Sequence, residues 1–293
     1  MRIHHLDCGP ARPFGGALMD GASPGAVGRL SCHCLAIETD RDGIVLVDTG
    51  LGLRDMARPW SRLPAVNTAL LRFRFDPDRT MLRHLRRLGH SPHDVRHIIM
   101  THLDFDHAGG LVDFPHATVH LMESEAKRAR SRPTWLDRMR YRPAQWGDTR
   151  RWQLYSDRTS GRWFGFDAVT EMEGLPPEFL LVPLPGHTPG HAGVAIEGPR
   201  GWMLHAADSY FNRAEIHSPL PGCPPGAAAY ERVMAWDARL AWANQARLRS
   251  LLAEPDSSLA VFCTHDPVEY VAMAVWQGNA PAAAQDRQVA SAA

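Results

Sequence analysis

Residues Thr101-His102-Leu103-Asp104-Phe105-Asp106-His107-Ala108-Gly109-Gly110 constrain this chain more than any other stretch. Two imidazoles and two carboxylates are packed between the apolar run Ile98-Ile99-Met100 and a Gly-Gly turn. An apolar run bounded by such a turn predicts a buried strand leading into a helix. Polar donors on a strand-to-helix turn contribute little to an apolar core. They can, however, point several nitrogen and oxygen atoms at one spot, which is what a divalent metal requires. A solvated polar loop is the plainer alternative.

Three further donor-bearing segments favour the metal. They are Gly186-His187-Thr188-Pro189-Gly190-His191, His205-Ala206-Ala207-Asp208 and Cys263-Thr264-His265. Each follows an apolar run read as a strand: Phe179 to Val182, Trp202 to Leu204, and Leu259 to Cys263. Each donor therefore lies at or just past a strand end, where rigid scaffold meets loop. In these motifs and their order the chain resembles the metallo-β-lactamase superfamily, from Val45-Leu46-Val47-Asp48-Thr49-Gly50 to His265. One position departs from the family pattern: Asp104 stands where a second histidine is usual.

The resemblance implies an α/β fold, an αββα sandwich of two mixed sheets flanked by helices. It implies two divalent ions, with His102, Asp104 and His187 on the first, Asp106, His107 and His265 on the second, and Asp208 between them. Zinc is the leading expectation, with manganese or iron as alternatives at the Asp104 position because carboxylate oxygen suits harder ions. A hydroxide bridging the ions is the implied nucleophile, and Asp106 a catalytic residue as well as a ligand. Two divalent ions bring four positive charges, which Asp106, Asp208 and a hydroxide offset by three; Asp104 then brings the cluster to neutrality. A neutral cluster would polarise a carbonyl less strongly. Asp48 is implied to orient a ligand histidine, although a simple strand-ending turn explains it equally well. Tyr210, two residues after Asp208, is a catalytic candidate by resemblance to lactonases. Its spacing is one residue shorter than theirs, so it could instead face the core. His191 is read as supporting the site without ligating.

The formal net charge of +0 argues against nucleic-acid coating or membrane-surface binding. The start, Met1 to Cys8, carries no apolar signal segment, and no apolar run approaches the ~20 residues of a membrane span. A cytoplasmic protein is expected. Five cysteines do not suggest a disulfide framework. Cys32-His33-Cys34 lies in an alternating strand-like run and reads as buried rather than as a metal clip.

The motifs span residues 1–278, which read as a single catalytic domain, with 279–293 as a disordered Ala-rich tail. Asp42-Gly43 predicts a hairpin turn between two strands. Residues 79–88 predict an amphipathic helix ended by Gly89, and Tyr230 to Leu252 one long helix. Residues 111–170 crowd Trp135, Tyr141, Trp146, Trp152, Tyr155, Trp163, Phe164 and Phe166 among arginines. They read as an insertion that caps the metals, or alternatively packs ordinarily or forms a homodimer interface.

No Gly-x-Ser-x-Gly elbow competes with metal chemistry. The leading function is hydrolysis of a small ester or lactone, by analogy with acyl-homoserine-lactone lactonases. A phosphotriesterase or phosphodiesterase with Arg clamps, a di-iron redox protein, and a non-catalytic metal-binding protein are the alternatives.

Overall fold

Apolar residues alternate between two faces along the strands, and this alternation builds the layers of the computed structural model. It describes residues 1–149, 151–156, 161–218, 220–253 and 259–278; the expected tail at 279–293 lies outside them. Two six-stranded sheets stack face to face. The first runs in spatial order β1 (Arg2–Asp7), β2 (His33–Glu38), β3 (Ile44–Val47), β4 (Val95–Ile99), β5 (Thr118–Met122), β6 (Trp152–Tyr155). The second holds β7 (Gly161–Trp163), β8 (Phe166–Glu171), β9 (Phe179–Pro183), β10 (Ala192–Gly198), β11 (Gly201–His205) and β12 (Ala260–Phe262).

Leu35, Ile37, Val45, Val47 and Ile99 of the first sheet meet Phe179, Leu181, Val194 and Ile196 of the second. Their neighbours Cys34, Ala36, Leu46 and Ile98 face the other way, against Met81, Leu82 and Leu85 of the helix Met81–Arg87. The outer face of the second sheet, with Val182, Ala195, Leu204 and Val261, packs on Leu248 and Leu251 of the helix Ala238–Ala253. Strands covered on both faces must be apolar at nearly every position, and so Val45-Leu46-Val47 and Ile98-Ile99 are. The chain thus has the αββα architecture.

Pairing directions place the loops. β3, β4, β5 and β6 run parallel, as do β11 and β12. Parallel neighbours release their following loops at the same sheet edge. The loops after β3, β4, β11 and β12 carry Asp48, residues 102–107, Asp208 and His265 respectively. The hairpin turn forms as expected, with Thr39 N–H donating to Gly43 O and Gly43 at φ 69°.

One expectation changes. The helix expected from Tyr230 to Leu252 is two, Pro225–Met234 and Ala238–Ala253. At the break, the N–H groups of Trp236 and Asp237 donate to the carbonyls of His187 and Gly186 instead of to a helical turn. The aromatic residues of 111–170 belong mostly to the scaffold. Trp152 and Tyr155 lie in β6, and Trp163 and Phe166 join the core outside the second sheet. Glu125 and the segment around Arg140 to Gln145 reach the donor loops, while Trp135 and Phe164 are exposed.

Candidate metal centre

The donor loop begins where β4 ends, and Thr101 fixes its first turn. Asp48 accepts from Thr101 N (2.9 Å), Thr101 Oγ1 (2.7 Å) and His107 Nδ1 (2.8 Å). Since Thr101 Oγ1 spends its proton on Asp48, it accepts from His102 Nδ1 at 2.9 Å. His265 Nδ1 donates to the carbonyl of Ser31 at 2.9 Å. All three rings therefore carry the proton on Nδ1 and turn an Nε2 lone pair toward a common centre, the tautomer a metal needs.

Glu125 joins this loop to the His187 loop. It is fully buried, accepts Leu103 N through Oε1 (3.0 Å), and accepts Thr188 Oγ1 (2.6 Å) and Gly190 N (3.2 Å) through Oε2. The His187 turn also needs Gly186, whose φ is +149° and where a Cβ would lie 2.4 Å from Ala241 N. His191 stays outside the donor set: Nδ1 donates to Leu184 O, and Nε2 accepts Asp208 N at 3.0 Å. Burial, with His187 nearby, pulls His191 down to about 3, so it remains a neutral acceptor that positions Asp208.

His102, Asp104 and His187 form one triad able to hold an ion, and Asp106, His107 and His265 another. Asp208 lies between them. Its Oδ2 is 3.9 Å from His102 Nε2, 3.6 Å from His187 Nε2 and 3.1 Å from His265 Nε2; its Oδ1 is 3.2 Å from His107 Nε2. Ligands about 2.0–2.1 Å from a tetrahedral ion lie roughly 3.4 Å from each other, the scale of these gaps.

The unpaired atoms point the same way. Buried His102 Nε2, His107 Nε2 and Asp208 Oδ1 have no hydrogen-bond partner among the described residues. Imidazole lone pairs facing carboxylate oxygens repel unless protons or cations lie between them. Burial alone would lower His107, yet the Asp208 and Asp48 carboxylates outweigh it and raise it well above its usual range. His265 is raised in the same way, against its burial, by Asp208. Burial would raise Asp208, but His265 and His107 hold it well below the carboxylate range. The centre is thus built for positive charge, and two divalent ions fit its donors.

Arg140 was not anticipated from the sequence. It is 1% exposed, and its Nε lies 2.9 Å from Asp104 Oδ1 at ion-pair distance. Its NH1 donates to His187 O at 2.8 Å, and its NH2 lies 3.1 Å from His187 Nε2. The backbone delivers it there through a bridge between Asp104 and Tyr141.

Tyr210 is placed elsewhere. Its ring joins the core outside the second sheet and its hydroxyl donates to Glu269 at 3.1 Å, so the shortened spacing turns it from the donors. The next residue, Phe211, flanks them instead, with ring centroids 4.9 Å from His265 and 6.0 Å from His187. Tyr230 packs on Phe211 at 6.1 Å and accepts from Asn67 Nδ2 at 2.9 Å. Burial and the charges of Asp106 and Asp104 raise its phenol far above the usual range. No local motif in the sequence marks Glu125, Arg140 or Tyr230; each lies far along the chain from the residues it serves.

The model of the metallo-beta-lactamase superfamily matches residues 27–265. The chain is 36% identical over 271 residues to a Mycobacterium tuberculosis protein named "probable metallo-hydrolase", spanning 92% of this chain and 82% of that one. It is 26% identical over 229 residues to an N-acyl homoserine lactonase of Bacillus cereus, covering 71% of this chain and 78% of the lactonase. A solved quorum-quenching N-acyl homoserine lactone hydrolase superposes with TM-score 0.66 at 22% identity, over 92% of this chain and 93% of that one. A dizinc quorum-quenching lactonase holding its product gives TM-score 0.59 at 19% identity, over 90% and 87%. At these identities the two structures speak for the fold alone. No helix among the described residues is long and apolar enough to cross a membrane.

Proposed function

Because the chain belongs to the metallo-beta-lactamase superfamily, we propose that it is a dinuclear metal hydrolase acting on a small ester or lactone. One observation carries this reading: seven donors from four loops form two triads around Asp208, with their imidazole lone pairs aimed inward. His102, Asp104 and His187 would hold one ion, and Asp106, His107 and His265 the other. Two divalent cations supply there a Lewis acid for the carbonyl and a water acidic enough to deprotonate near neutrality. The N-acyl homoserine lactonase relative favours a lactone.

The chain's own residues do the rest. Asp106 is 7% exposed, against 2% for Asp104 and 4% for Asp208, and is the carboxylate best reached from outside. It can take the nucleophile's proton and return it to the leaving alkoxide. Phe211 supplies an apolar wall beside His187 and His265. The hydroxyl role expected of Tyr210 passes to Tyr230. Its oxygen accepts from Asn67, so its own proton is directed to a second partner, such as a carbonyl oxygen gaining charge. A phosphate clamp gains no support from Arg140, which is buried and bound to Asp104 and His187.

The test is a panel of γ-lactones, aryl esters and aryl phosphotriesters, run on protein loaded with zinc, manganese or iron and on chelated protein. Lactone or ester turnover that chelation abolishes and metal restores is the expected result. A preference for phosphotriesters would replace the substrate class. Oxygen consumption by the iron form, or inertness toward the whole panel with both ions bound, would overturn hydrolysis.

A further inference from the structure

A buried guanidinium is costly unless a carboxylate and hydrogen bonds compensate it. Arg140 is enclosed, and its partners are Asp104 and His187, two members of one triad. Asp104 is also the position where the chain departs from the histidine usual in its superfamily. Its Oδ1 lies 2.9 Å from Arg140 Nε, with both side chains all but excluded from solvent. The neutral cluster expected from the sequence omitted this fixed positive charge. With Arg140 included, the centre carries the same net charge as one with imidazole at position 104.

His187 supplies a second observation. The other three histidines have their Nδ1 atoms held by Thr101, Asp48 and Ser31, while His187 Nδ1 has no partner among the described residues. Arg140 takes over its orientation, gripping the His187 carbonyl, which also accepts the N–H of Trp236 at the helix break. The contact of NH2 with His187 Nε2, a nitrogen that also lies 3.0 Å from Asp104 Oδ2, occupies the atom an ion would take. That contact must yield on metal binding, leaving the grips on Asp104 and the carbonyl.

We propose that Arg140 is a positioning residue and the built-in counter-charge of Asp104, so that positions 104 and 140 work as one unit. Aspartate requires arginine, and an imidazole at 104 requires an uncharged residue at 140. Either half alone leaves a buried charge unpaired. This rests on residues 102, 104 and 187 being a metal site, and wild-type metal content measured in parallel tests that premise separately.

The experiment compares wild type, R140M, D104H and D104H/R140M as full-length proteins, metal-stripped and zinc-loaded, by thermal midpoint and bound zinc per chain. In the stripped state each single substitution should lower the midpoint by roughly 6–15 °C, and the double variant should return to within about 3 °C of wild type. Zinc should shrink the R140M deficit by at least half, since the ion then compensates Asp104. The double variant should hold as much zinc as wild type. A packing role alone predicts additive losses, unchanged by zinc, and that result overturns the proposal. If the single variants fail to fold, D104H/R140M must still fold; its failure is equally decisive. Fewer than two zinc ions on wild type would instead strike the dinuclear reading.

Discussion

Glu125 offers the sharpest test of how the centre is assembled. It touches no candidate metal directly, yet joins the loop of His102 to His107 with the loop of His187 by accepting three hydrogen bonds. Glu125→Ala would strand two buried backbone N–H groups and a hydroxyl at about 1–3 kcal/mol each, or about 4–6 kcal/mol together after partial relaxation. That is a large part of the roughly 5–15 kcal/mol that stabilises a domain. Glu125→Gln should cost about 2 kcal/mol, because its amide, whichever way it turns, opposes at least one backbone N–H, Leu103's or Gly190's. Urea unfolding at neutral pH in chelator gives both values, and metal analysis should show the alanine variant losing its ions while the glutamine variant keeps most of them. Two results would refute the reasoning: an alanine variant within 1 kcal/mol of wild type, or a glutamine variant as damaged as the alanine one.

Tyr210→Phe should leave turnover within about twofold, whereas Tyr230→Phe should lower kcat by roughly 10–100-fold with the fold intact; equal effects in steady-state kinetics would refute the reassignment of the hydroxyl. His191→Phe removes the acceptor of Asp208 N, and should weaken metal binding by about 10–100-fold in competition with a chromophoric chelator. Burial pulls His5 and His120 down to about 3 and His84 to about 4. The unfolded chain then binds more protons below the ordinary histidine value, so stability is complete above pH 6.5 and falls as pH drops toward 4. Each should cost on the order of 1 kcal/mol at pH 5.5, and denaturation midpoints for His84→Gln should fall less steeply than wild type; a flat wild-type profile would contradict the burial.

Much of the fold was legible because its signals are local. Double-sided burial makes Val45-Leu46-Val47 and Ile98-Ile99 continuously apolar, and Asp42-Gly43 marks its hairpin by backbone conformation alone. The candidate donors were legible too, since His102, Asp104, Asp106, His107, His187, Asp208 and His265 all lie in loops that follow strands. The broken helix was not. Residues 230–252 have helical composition throughout, and the break at 235–237 exists because His187 and Gly186 carbonyls offer those N–H groups other partners. The aromatic crowding at 111–170 left cap, interface and ordinary packing open for a related reason: composition cannot tell a strand packed on a sheet from a wall over a cleft.

The sequence by itself determined which atoms can bind metal and where in the order of strands they fall, because donor chemistry and strand periodicity are properties of neighbouring residues. Only the tertiary structure decided how those atoms are held and charged. It set Glu125 between two loops, turned Tyr210 toward Glu269, brought Tyr230 beside Phe211, and buried Arg140 against Asp104. Charge compensation and hydrogen bonding act through space over a few ångströms. Residues far apart along the chain become partners only when the sheets have closed around them.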